Sequence, residues 1–99
     1  MIETASLHVW NAVKRRSKME IYMDVLKIIN HGVNKPTRIM YAANISWKNL
    51  TDILSDLEKR GLIRRRIVGD RSVVLITERG KDLLRTFESV SAELAFINR

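Results

Sequence analysis

The stretch from Asn44 to Val74 constrains this chain more than any other. Ser46 is placed to cap a helix, in which Leu50, Ile53 or Leu54, and Leu57 recur at steps of three to four and form one apolar face. Gly61, directly after Lys59-Arg60, supplies the stop. Leu62 to Val68 and Ser72 to Ile76 are rich in Ile and Val, as strands prefer, and Gly69-Asp70-Arg71 joins them as a hairpin. Three consecutive arginines, Arg64, Arg65 and Arg66, lie in the first arm. The order of these elements carries more information than any one residue.

Upstream, Ser17 to Asn30 reads as a core helix, with Ile21, Val25 and Ile28 on one stripe and Tyr22, Leu26 and Ile29 on the next. Asn30-His31-Gly32 marks its end. Lys35-Pro36-Thr37 opens a short second helix, with Arg38 to Ala42 as its body and the Thr37 hydroxyl as a candidate cap. Ala42 and Ala43, followed by Asn44, suit a tight turn into the third helix. Residues 1–16 read as an N-terminal arm or short helix, in which Ile2, Leu7, Trp10 and Val13 are loosely spaced by threes and Ser6 can cap the start. Downstream, Thr77 caps a last helix, where Leu83, Phe87, Val90, Leu94 and Ile97 recur at steps of 4, 3, 4 and 3. Such a seam must be buried, either on its own domain or against a second copy.

Ninety-nine residues suit one domain, here α+β and mostly helical. The chain has no cysteine, which excludes disulfides and thiolate metal sites and fits a reducing cytoplasm. No apolar run approaches the roughly 20 residues that span a bilayer, and Lys14-Arg15-Arg16 follows rather than precedes the N-terminal apolar residues, unlike a secretory leader. The net charge of +7 is unevenly placed: +2 over residues 1–34, +5 over 35–76 and zero over 77–99. A basic excess alone would serve DNA, RNA, anionic lipid or an acidic protein, but its concentration in the helix-hairpin unit favours DNA.

Ser46-Trp47-Lys48-Asn49-Leu50 through Leu57-Glu58-Lys59-Arg60-Gly61-Leu62-Ile63 is similar to the recognition-helix signature of winged helix-turn-helix regulators. Asp70-Arg71, and then Ile76-Thr77-Glu78-Arg79-Gly80, resemble their wing and the start of the following helix. Thr37-Arg38-Ile39-Met40-Tyr41-Ala42-Ala43-Asn44 resembles the small basic archaeal winged-helix DNA-binding proteins that dimerise through a C-terminal antiparallel coiled coil. The resemblance covers roughly residues 17–98. It implies a winged helix-turn-helix at 17–76 and a candidate dimerisation helix at 77–99, which the arm or short helix at 1–16 precedes. Two features depart from that family: the last helix is shorter, and about sixteen residues precede the first core helix. Either the arm or the seam of Leu83, Phe87, Val90, Leu94 and Ile97 can therefore make the dimer contact.

On that resemblance the third helix enters the major groove of double-stranded DNA and presents Ser46, Trp47, Lys48 and Asn49. Lys48 can reach guanine or phosphate, and Asn49 matches adenine. Trp47 suits either contact with DNA or cover of the gap between the second helix and the hairpin. Asp52 and Asp56 repel phosphates and stop the helix from being uniformly adhesive. In a strand Arg64 and Arg66 share one face and Arg65 takes the other, so the three cannot all serve one surface. With Arg71 at the wing tip they are candidates for phosphate or minor-groove contact, or else for a solvated edge that discourages strand pairing. Arg38 is a candidate phosphate anchor, while Lys14, Arg15, Arg16 and Lys18 are either a further anchor or an ordinary helix-start cluster.

Only His8 and His31 are present, with no metal-binding histidine pair, phosphate-cradling glycine loop or nucleophile-base arrangement, so neither catalysis nor a cofactor is expected. The expectation is a homodimeric regulator or chromatin-associated protein, cytoplasmic and bound to the nucleoid. Its partner is duplex DNA, and no small-molecule ligand or membrane is evident. A protein-interaction module built on the same fold is the alternative.

Overall fold

The computed structural model describes residues 17–98. The arm at 1–16, with His8 and its basic cluster at 14–16, lies outside the described residues. Three helices come first: α1 (Lys18–Asn30), α2 (Pro36–Ala43) and α3 (Trp47–Lys59). Strands β1 (Ile63–Val68) and β2 (Arg71–Ile76) form an antiparallel hairpin, and α4 (Glu78–Glu93) is followed by a short 3-10 turn over Ala95–Asn98. The chain is thus mostly helical with one two-stranded wing, as expected.

Local chemistry explains where the helices begin and end. Ser17 and Glu20 form a reciprocal capping box at α1, and the Ser46 hydroxyl oxygen accepts from the Asn49 amide at 3.1 Å to start α3. The cap expected from Thr37 is not made: α2 begins at Pro36, two residues before Arg38, and the fixed φ and missing N–H of Pro36 suit the first helical position. The first three helices end by one device. The amides of Gly32, Asn44 and Gly61 bond back to Ile29, Tyr41 and Glu58, and those of Val33, Ile45 and Leu62 bond to Ile28, Met40 and Leu57. Each end thus has a positive-φ residue followed by an aliphatic one, which turns the chain back onto the core. Asn44 takes this left-handed conformation at φ 56°, making the sharp corner between α2 and α3.

One core joins all four helices to the base of the hairpin, and α3 contributes a full apolar stripe to it. Leu50, Ile53, Leu54 and Leu57 bury the inner face of α3 against Val25, Leu26 and Ile29 of α1 and Ile39 and Ala43 of α2. Leu62, Ile63 and Val74 close it from the hairpin base, and Leu84 from α4. An isolated two-stranded hairpin is marginal in water. Here β2 gains support on its free edge, where the Val74 amide donates to Asn34 carbonyl oxygen at 2.8 Å. The register pairs Ile63 with Ile76, Arg65 with Val74 and Val68 with Arg71. Arg71 is therefore part of β2 and the turn contains only Gly69 and Asp70, one residue tighter than the expected three.

The hairpin is tied to both flanking helices at one junction. The Thr77 amide donates to Leu62 carbonyl oxygen at 3.1 Å, and its hydroxyl donates to Gly61 carbonyl oxygen at 2.7 Å. The same hydroxyl oxygen accepts from the Gly80 amide at 3.0 Å, capping α4. Gly80 lets the first turn of α4 lie directly on the chain leaving α3. A Cβ there would overlap the Leu62 carbonyl oxygen and fall 2.8 Å from Ile76 Cγ1.

A second tie joins α1 to α3, where the Tyr22 hydroxyl donates to Asp56 Oδ2. Burial, followed by the hydrogen bond to and charge of Asp56, pushes the Tyr22 phenol up to about 12.

The last helix departs from its expected course. The seam was expected to run to Ile97, but α4 ends at Glu93, Leu94 caps it, and Ile97 lies in the 3-10 turn. No described element covers this end, so packing does not offset fraying and the last turn tightens. The residue that anchors α4 to the core is Leu84, which is not in the seam, helped by half-buried Phe87.

Two stability measurements follow. Gly80→Ala should cost about 1–3 kcal/mol in urea unfolding, the usual range for overpacking without room to relax, because the obstacle is backbone. Tyr22→Phe should cost about 1–2 kcal/mol near neutral pH. The fold favours the neutral phenol, so its contribution is intact below the unfolded phenol value of about 10 and is lost as pH rises through about 12. The stability difference between wild type and Tyr22→Phe should therefore shrink over that interval.

Candidate nucleic-acid interface

Helical geometry sorts the outward side chains of α3 into three stripes. Lys48, Asp52, Ser55 and Lys59 lie opposite the buried leucines and form its outermost line. Asn49 and Asp56 occupy the flank toward α1, where both line a cleft with Lys18, Ile21 and Tyr22. Trp47, Thr51 and Glu58 occupy the flank toward the wing. Of the residues expected to read bases, Lys48 is on the crest of the helix and Asn49 on its shoulder.

Lys48 Nζ is 3.2 Å from Asp52 Oδ2, one turn along the crest. Both groups are well exposed, so the pair is worth at most about 1 kcal/mol and can be exchanged readily for a phosphate or a base edge. The Ser46 hydroxyl oxygen is occupied by its capping bond, which leaves its proton as a donor. Trp47 is half-exposed at 50%.

The register places Arg64, Arg66 and Arg71 on the hairpin face pointing away from the core, together with Val68, Val73 and Leu75. Among the described residues none of these three arginines has an ion-pair partner. Arg65 lies on the opposite face, where its Nε is 3.4 Å from Glu58 Oε1 at the end of α3. This brace holds the first arm of the wing against the helix and occupies Arg65. The wing thus divides into an inner, structural arginine and three outward cations.

Arg38 is exposed on the outer side of α2 beside Tyr41, one turn along. Tyr41, 78% exposed, was not singled out by sequence reasoning, nor were Ser55 and Lys59. The available signal was helical phase. Tyr41 falls off the Ile39–Ala43 stripe, while Ser55 and Lys59 continue the Lys48–Asp52 line by steps of three to four.

His31 Nδ1 lies 2.7 Å from Lys27 carbonyl oxygen, closing α1 rather than facing a site. Among the described residues no group of three or more His, Asp or Glu side chains could hold a metal, and no helix is long and apolar enough to cross a membrane. The seam residues Leu83, Val90, Leu94 and Ile97 are exposed. With Phe87, Met19 and Met23 they line an apolar groove of about 750 Å3 between α1 and α4.

Comparison with known proteins agrees with this architecture. An uncharacterized protein of Methanocaldococcus jannaschii is 36% identical over 69 residues, covering 70% of this chain and 67% of that protein. The structure of Sso10a-2, a DNA-binding protein from Sulfolobus solfataricus, superposes with a TM-score of 0.67 at 28% identity, covering 84% of this chain and 90% of that one. MepR, a transcription regulator of the Staphylococcus aureus multidrug efflux pump MepA, superposes with a TM-score of 0.70 at 20% identity over 78% of this chain and 60% of its own, a likeness of fold. The winged helix-turn-helix family model matches residues 15–95, and with three helices, a hairpin wing and a closing helix in that order, the chain belongs to the winged helix-turn-helix family.

Proposed function

We propose that this protein binds double-stranded DNA as a homodimer and acts as a transcription regulator or chromatin-associated protein, cytoplasmic and located on the nucleoid. The observation that carries this reading is the set of cations that have no carboxylate partner among the described residues, Arg64, Arg66 and Arg71, on the outer wing face. The likeness to Sso10a-2, named as a DNA-binding protein, supports it. In this reading residues 17–76 are the binding unit. The crest of α3 lies in the major groove, with Lys48 foremost and Asn49 and Trp47 on its shoulders. Ser46, Arg38 and Tyr41 contact the phosphate backbone, and the outer wing arginines meet phosphates or the minor groove. Arg65 acts indirectly by holding the wing at its angle through Glu58.

Residues 77–99 supply the dimer contact in this reading. Burying Leu83, Phe87, Val90, Leu94 and Ile97 against a second copy would remove an apolar groove that the described fold leaves open. Two heads would then engage sites about 34 Å apart, or a multiple of that spacing.

Electrophoretic titration over a salt series tests the binding. Affinity for duplex DNA should fall steeply between about 50 and 200 mM salt. Arg64→Ala, Arg66→Ala and Arg71→Ala should each weaken binding and reduce the salt slope by about 1 for each phosphate contact removed. Salt-insensitive binding, or none at low salt, would refute the reading. Sedimentation tests assembly: Val90→Glu should shift the protein to monomers without lowering its helical content, since Val90 is exposed in the single chain.

A further inference from the structure

Two large apolar side chains on the wing are left without a role by the fold. Ile67 and Val68, the last residues of β1, are 71% and 55% exposed. Core contact along the hairpin stops at Ile63 and Val74, so the tip projects beyond the body of the domain. Neighbouring strand residues point to opposite faces, which makes the tip apolar on both sides. Strand formation does not require this, because threonine offers the same β-branching without a bare hydrocarbon surface. Leaving both in water gains no burial.

Their surroundings indicate what covers them. Val68 is paired across the hairpin with Arg71 and shares its face with Arg64 and Arg66. Asp70 in the turn places one negative charge against those three cations. An apolar tip flanked on its Val68 side by guanidinium groups is complementary to the minor groove, whose phosphates line both walls and whose floor accepts apolar wedges between base steps.

We propose that Ile67 and Val68 form an apolar wedge that enters the minor groove, partly unstacks a base step and kinks the duplex. The protein then favours DNA carrying a flexible pyrimidine–purine step, such as TA, under the wing, because such steps deform at least cost. This rests on the DNA-binding reading and adds to it a deformation and a class of preferred sequence.

The test uses the full chain and end-labelled duplexes of about 30 base pairs, one with a central TA step and one of stiff sequence lacking it. Binding and end-to-end distance are read by energy transfer at low salt. Wild type should shorten the end-to-end distance of the TA duplex and bind it about fivefold more tightly than the stiff one, a modest share of the range that deformability can generate. The double variant Ile67→Thr, Val68→Thr keeps β-branching and all the arginines. It should bind the stiff duplex within about twofold of wild type, as unchanged phosphate contacts require, while losing both the shortening and the preference. Circular dichroism of the variant separates loss of the wedge from loss of the fold. Wild-type binding with neither bend nor preference overturns the wedge alone, as does a folded double variant that bends and discriminates like wild type. Failure of wild type to bind either duplex overturns the DNA-binding reading and the wedge with it.

Discussion

The structure depends on the contact between the first turn of α4 and the chain leaving α3. Thr77 satisfies the carbonyls of both Gly61 and Leu62, and Gly80 lets the two backbones meet without an intervening side chain. The third helix, both strands and the closing helix therefore share one short junction. The wing cannot swing independently of α3 unless these bonds break. The Arg65–Glu58 pair adds a second strut on the same side, and Tyr22–Asp56 ties α3 to α1 on the other. The helix and the hairpin are therefore held at one mutual angle by contacts on both sides of α3.

Charge is distributed according to the same geometry. The basic excess between residues 35 and 76 is not a uniform coat. One arginine of the triplet is turned inward to the end of α3, and two face outward with Arg71. On α3 itself Lys48 is partnered by Asp52 in a weak, exposed pair. The acidic residues of α3 thus have separate partners: Asp52 pairs with Lys48, Asp56 accepts from Tyr22 and Glu58 pairs with Arg65.

Much of this was legible in the residues. Caps at Ser46 and Thr77, stops at Gly32 and Gly61, and the leucine stripe of α3 are local signals, decided by hydrogen bonding and periodicity within a few residues. The division of the triple arginine also follows from strand alternation, although which face looked outward did not. Other features were hidden. Thr37 looked like a cap, yet Pro36 already satisfied the requirements of the first turn. The seam of α4 had a plausible heptad spacing, but the contact that seats the helix is Leu84, one residue out of phase with Leu83, because the close approach at Gly80 sets the helix rotation. Tyr41, Ser55 and Lys59 joined the candidate surface only when the helices had a defined inside.

By itself, the sequence determined the element order, the boundaries of the first three helices to within a residue or two, the start of the fourth, and membership of the winged helix-turn-helix architecture, because each of these is encoded by interactions close along the chain. Tertiary structure alone decided which arginines are free, which face of α4 is left uncovered, and that the wing ends in bare Ile67 and Val68. Those properties depend on partners far apart in sequence, such as Arg65 with Glu58 across the α3–β1 corner or Gly80 with Leu62. Exposure is defined only once the rest of the chain has taken its place.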